Sequence, residues 1–260
     1  MFSFFRDRRR RRLLAEPFPP HWDAILRRNV GHAAHLSPAE LARLRGVVRV
    51  LVAEKGWEGC GGLFVTEEMK VTIAAQAGLL LLGADDHDYF ARVPSVVVYP
   101  GRFRTPVAED GWEDDGLSET ALDGQAVYRG PVILAWDQVA REGRDPAGGY
   151  NLVLHEFAHQ LDYLDDVVNG TPPLRDKAQE ARWREVMTAA FDRHRRQVEA
   201  GDEGFFSEQA ADDETEFFAD ATEAFFCAPA DLRAEEPDVY ALLAEFYRLD
   251  PVRWFPDRRM

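Results

Sequence analysis

The chain has 260 residues with 31 basic and 46 acidic side chains, a formal charge of −15 at neutral pH. An apolar share of 46% with 12% aromatic residues exceeds what a disordered chain carries and predicts a folded protein with a sizeable core. The acidic balance opposes phosphate backbones and argues against direct nucleic-acid binding, and two cysteines are too few for a disulfide framework or a cysteine zinc cage.

Arg6, Arg8, Arg9, Arg10, Arg11 and Arg12 against Asp7 give the first twelve residues a charge of plus 5. With Phe2, Phe4 and Phe5, residues 1–16 read as a basic arm, either simply solvated or meeting anionic lipid or an acidic partner. Leu13 and Leu14 run into Ala15, Glu16 and Pro17, so no apolar signal region follows. The longest apolar run, Ala77 to Ala84, is too short to span a bilayer, and a cytoplasmic protein without an integral membrane segment is expected. Residues 17–260 are expected to form a single domain.

After Pro17, Pro19 and Pro20, a short helical pattern covers His21 to Asn29. Ser37 and Glu40 form a capping box ahead of Leu41, Leu44, Val47, Val48 and Leu51, which predicts a helix to about Ala53. Gly59, Gly61 and Gly62 punctuate the chain before Thr66, and Met69 to Leu82 reads as an apolar helix stopped by Gly83. Ser95 to Tyr99 predicts a buried strand, residues 105–126 an acidic loop, and Val132 to Val139 a second strand. From about residue 151 the pattern is helical, near 151–164, 174–200, 214–226 and 238–248. Strands confined to the half ending near 150 and helices over 151–260 predict an α+β fold with a small sheet.

The segment His155-Glu156-Phe-Ala-His159-Gln-Leu-Asp162 carries the strongest chemical signal. Histidines four apart project from one helical face and can share a metal ion, with Glu156 beside them to take a proton from water. Zinc suits imidazole and carboxylate donors and leaves a position for water. The alternative is a pair of core histidines satisfied by hydrogen bonds, but Leu152, Val153, Leu154, Phe157, Ala158 and Leu161 make the helix so apolar that two histidines and a carboxylate need a strong partner. Asp162 shares the face but would have to bend back to reach an ion, so it is assigned to supporting the ligands. Glu216, Asp220 and Glu223 fall on one face of a phenylalanine-rich helix. Such a row is usually a solvated face, yet here it is also a source for the missing third ligand.

Trp57-Glu-Gly-Cys-Gly-Gly62, Val71-Thr-Ile-Ala-Ala-Gln-Ala77, the His155 to Asp162 segment and Glu216-Phe-Phe-Ala219, in that order, resemble the Mlc titration factor A family of zinc peptidases, as does the start through Leu14-Ala-Glu-Pro-Phe18. The resemblance implies a zincin-like metallopeptidase core of gluzincin type, related to that of anthrax lethal factor. It also implies a cytoplasmic setting, aminopeptidase-type activity on small peptide substrates, and a link to the glucose-phosphotransferase repressor Mlc. Carried over, His155, His159 and Glu216 hold one Zn2+ per chain, Glu156 is the general base, and Glu223 supports the ligands. Two positions depart from the family pattern: Asp220 replaces an apolar residue, and Gln209 replaces a tyrosine suited to stabilising an oxyanion. A glutamine amide there is the weaker stabiliser; the alternative is that the loop from Gly201 to Asp213 aligns differently and Tyr163, His194 or another donor fills the role.

Leu134, Ala135 and Trp136, in the strand before the metal-binding helix, are expected to line the substrate as an edge strand, with a plain core strand as the alternative. A zinc-dependent peptidase is the leading reading. A zinc-containing regulator that binds a repressor with little catalysis is the other.

Overall fold

The computed structural model describes residues 2–84, 88–103 and 122–255. Its helices are α1 (Phe2–Ala15), α2 (Pro20–Asn29), α3 (Pro38–Glu54), α4 (Glu67–Leu79), α5 (Trp136–Arg144), α6 (Leu152–Asp162), α7 (Lys177–Ala200), α8 (Glu214–Cys227), α9 (Pro229–Glu235) and α10 (Pro237–Tyr247). The strands are β1 (Gly56–Gly59), β2 (Ser95–Tyr99), β3 (Gly124–Ala126) and β4 (Val132–Ala135). They form one sheet in the order β1-β2-β4-β3, parallel except for β3, which runs antiparallel to β4. The fold is thus α+β, with a small mixed sheet and a helical second half.

Local signals account for many of the helix ends. Ser37 and Glu40 close a reciprocal cap at α3, Glu40 Oε2 accepting the Ser37 N–H at 2.8 Å and Ser37 Oγ the Glu40 N–H at 3.3 Å. Thr66 caps α4 by accepting from Met69 N at 3.3 Å. That helix ends at Leu79, short of the expected Leu82. Gly83 acts differently from a helix stop: a Cβ there would collide with the Tyr247 carbonyl, so glycine allows two chain segments to pass close together.

Three expectations fail for a common reason. β1 falls where glycines read as punctuation, and β3 falls inside the stretch read as an acidic loop, whose residues 105–121 lie outside the described ones. The strand expected over 132–139 stops at Ala135, and Trp136 opens α5, which buries Val139, Ala140 and Gly143 at helical spacing. Strands of three or four residues are held by their neighbours' hydrogen bonds more than by their own side chains.

The basic arm is also more than a solvated tail. It forms α1, whose Arg10 is buried against α3 and the segment beyond α4, with Nη2 2.6 Å from Glu54 Oε2, Nη1 2.7 Å from Asp88 Oδ1 and its guanidinium over the Tyr89 ring. Phe5 and the other described arginines of this helix stay exposed. No described helix is long and apolar enough to cross a membrane.

The core behind the metal-binding helix is aromatic. Phe217, Phe218, Phe225 and Phe226 of α8 are at most 1% exposed and pack with Trp183, Tyr247 and Trp254. Each ring removed from water contributes about 2 to 3 kcal/mol, so α8 is a rigid support for the side chains on its other face.

His32 is buried in this region, its Nε2 donating to the Phe226 carbonyl at 3.1 Å and its Nδ1 without a partner. Burial pulls its pKa down from 6.5 to about 4. The unfolded chain therefore takes up this proton first, and the fold loses stability as pH falls from about 6.5 towards 4, by about 2 kcal/mol between pH 7 and pH 5. His32→Asn, which does not titrate, is expected to lose less urea-unfolding free energy over that interval than the wild type. Equal losses would refute this.

Candidate metal centre

Four helices set the site. Asn151 caps α6 by accepting from Leu154 N at 3.0 Å, and its Nδ2 donates to Gln76 Oε1 of α4 at 2.8 Å. Glu142 Oε2 of α5 accepts from Leu152 N at 2.8 Å. At α8, Asp213 accepts from Thr215 N and Glu216 N at 2.8 and 2.9 Å, fixing Glu216 in the first turn. α6 packs on α8 with Phe157, Ala158 and Leu161 in the core, and this turns His155 and His159 towards Glu216.

The donor atoms of His155, His159 and Glu216 lie within 4.8 Å of one another, a group able to hold a metal ion. His155 Nε2 is 3.1 Å from Glu216 Oε2, and His159 Nε2 is 3.4 Å from Glu216 Oε1. Ligands 2.0 to 2.1 Å from a tetrahedral ion are separated by about 3.3 Å, so the donor spacing fits a small divalent cation.

The two histidines hold their protons very differently. Burial would lower the His155 pKa, but its hydrogen bond to Glu216 and the charges of Glu156, Glu223 and Glu216 outweigh this and lift it to about 9. His159 is driven down to about 4 by burial and by the charge of His155. The two imidazoles and the Glu216 carboxylate are donors that a divalent cation takes up in place of protons.

Glu156 is 6% exposed, and burial pushes its pKa up to about 7 against the charge of His155. A Cβ on Gly124 would collide with Glu156 Oε1 and lie 2.6 Å from Leu152 Cδ1, so β3 runs directly over the carboxylate. Glu223 is buried with Oε2 3.7 Å from His155 Nδ1, and burial lifts its pKa to about 8. A cleft of about 840 Å3, lined among others by Gly124, Tyr150, His155, Glu156, Gln209 and Glu223, reaches the group at His155.

Other expected site residues lie elsewhere. Asp162 turns away from the histidines and accepts the backbone N–H groups of Asn169 and Thr171 at 3.2 and 2.8 Å, so it pins the loop after α6. Asp220 accepts from Ser207 N and Oγ. Leu134 and Ala135 are wholly buried in an interior strand, and Trp136 is half-buried in α5. The strand at the end of the described sheet, beside the site, is β3. Gln209 donates from Nε2 to Glu216 Oε2 at 3.2 Å. Sequence reasoning missed β3 and the Gln76 to Asn151 clamp. Gln76 stood in a quoted motif, but its use depends on a partner 75 positions away.

A family profile described as glucose-regulated metallo-peptidase M90 matches residues 4–248. The chain belongs to this family. The M90 match takes in nearly all of α1 together with α6 and α8. Among its relatives, the uncharacterised protein slr2042 of Synechocystis is 32% identical over 249 residues, covering 95% of this chain and 90% of the relative. Mlc titration factor A of Pectobacterium atrosepticum is 32% identical over 89% of this chain and 87% of its own length. Mlc titration factor A of Yersinia pestis is 34% identical over 87% of this chain and 85% of its own. An M90 metallopeptidase calls for a metal ion, and the donor set described above is suited to one.

Proposed function

We propose that this chain is a zinc-dependent peptidase of aminopeptidase type, with His155, His159 and Glu216 holding one zinc ion and Glu156 acting as general base. The observation that carries the reading is the convergence of two imidazoles and a carboxylate, at ligand spacing, beside a buried carboxyl group and an open cleft. Zinc, when bound, supplies Lewis-acid polarisation of the scissile carbonyl and lowers the pKa of water. Glu156 takes the proton from the attacking water and returns it to the leaving amine. Glu223 orients His155 from its Nδ1 side. The outer edge of β3, rather than Leu134, Ala135 or Trp136, offers backbone groups to an extended peptide.

Removing metal from the full chain with phenanthroline is expected to abolish hydrolysis of aminoacyl anilides, and one equivalent of zinc is expected to restore it. Hydrolysis that survives metal removal would refute the reading. Because β3 lies against Glu156, Gly124→Ala is expected to fold and keep its metal but displace the carboxylate, lowering turnover about 10- to 100-fold. Wild-type turnover in that variant would show that the carboxylate position is not critical.

The relatives' name, Mlc titration factor A, favours a second reading, in which the chain also binds a repressor such as Mlc. Its free cysteines, Cys60 half-exposed and Cys227 buried, accord with a cytoplasmic setting for either role.

A further inference from the structure

We propose that Tyr163 donates the hydrogen bond that stabilises the oxyanion formed at the scissile carbonyl, an assignment that rests on the peptidase reading. Tyr163 directly follows α6 and stands one turn beyond His159 on the same face. Its ring lies 17° from parallel to that of His159 with centroids 6.2 Å apart, and the Tyr128 ring meets it edge-on at 5.5 Å. These contacts orient the ring while leaving its hydroxyl without a hydrogen bond among the described residues. The Tyr128 hydroxyl, by contrast, donates to Asp166 at 3.1 Å. The stacking on His159 sets Tyr163 directly against one of the three residues of the metal-binding group.

Four neighbouring donors are engaged, while Tyr150 at the cleft is 62% exposed and packs on no ring of the metal-binding group. Gln209 Nε2 donates to Glu216 at 3.2 Å, His194 Nε2 to the Ser207 carbonyl at 2.7 Å, Asn151 Nδ2 to Gln76 at 2.8 Å, and Ser207 Oγ to Asp220 at 3.1 Å. The Tyr163 hydroxyl is reached by solvent, so a ligand oxygen can take the place of water as its acceptor. When water oxygen bonds to the carbonyl carbon, the C=O π pair moves onto oxygen and Glu156 takes the water proton. As the C–N bond breaks, that pair returns to form the carbonyl and Glu156 delivers the proton to nitrogen. Tyr163 transfers no proton; its O–H bond to the oxygen strengthens as charge develops there and weakens as it leaves.

The test compares metal-loaded wild type with Tyr163→Phe, using a phosphinic dipeptide as the tetrahedral anion and the matching intact dipeptide as the ground state. Binding is measured by calorimetry, with the intact dipeptide studied in a Glu156→Gln background. Tyr163→Phe is expected to weaken phosphinate binding and lower kcat by about a hundredfold. Metal content, KM and affinity for the intact dipeptide should stay within about twofold, because the bond forms mainly with developed charge. Unchanged phosphinate affinity, an equal loss for both ligands, or loss of metal would overturn the assignment. If wild type neither cleaves nor binds the phosphinate, the peptidase reading falls as well. If wild type does both and Tyr163→Phe matches it, only the role of Tyr163 falls.

Discussion

Glu156→Gln is expected to keep close to one zinc per chain and to lose at least about a hundredfold in peptide turnover, the scale for removing a general base. The separation follows from position: Glu156 lies on the ligand helix but faces β3 at Gly124, outside the convergent group of His155, His159 and Glu216. Glutamine keeps the side-chain shape but cannot take up the water proton. Metal analysis and turnover on the same preparation check both halves. Undiminished hydrolysis in the metal-loaded variant would refute the mechanism, and loss of metal would make Glu156 a ligand. Under the regulator reading, the same variant should still bind the repressor.

His155→Ala, His159→Ala and Glu216→Ala are each expected to reduce zinc from near one per chain to a small fraction, measured by elemental analysis after dialysis. Asp162→Ala tests the choice of third ligand. Its carboxylate accepts backbone N–H groups of the loop at 169–171, so its removal should destabilise that loop while leaving zinc bound. Zinc lost from Asp162→Ala and retained by Glu216→Ala would reverse the assignment. Glu223→Gln should retain zinc with weaker affinity, about 10-fold or more, because Glu223 faces the Nδ1 side of His155.

The part of the site that was legible in the sequence is the part set by helical periodicity. The His155 and His159 pair needs only the 3.6-residue repeat and the Asn151 cap, both local. The α3 capping box and the phenylalanine face of α8 were readable for the same reason. The acidic row of α8 was visible too, but periodicity left Glu216, Asp220 and Glu223 equivalent. Family resemblance singled out Glu216.

Packing of α6 on α8 separates those three carboxylates physically: Glu216 faces both histidines, Glu223 faces the back of one, and Asp220 holds Ser207. Asp162 shows the converse, since its spacing puts it on the ligand face while its partners lie in a loop with no periodic signal. β3 was hidden because three residues carry too little pattern to mark a strand, and it becomes one through pairing with β4. α1 looked like a solvated arm because its anchor is an arginine, whose burial is favourable only when Glu54 and Asp88, 44 and 78 positions away, surround it. Local spacing therefore established the metal-binding helix and its candidate base. Which distant carboxylate completes the group, which strand flanks it and where Tyr163 points were decided by contacts between segments far apart in the chain, for which sequence periodicity carries no signal.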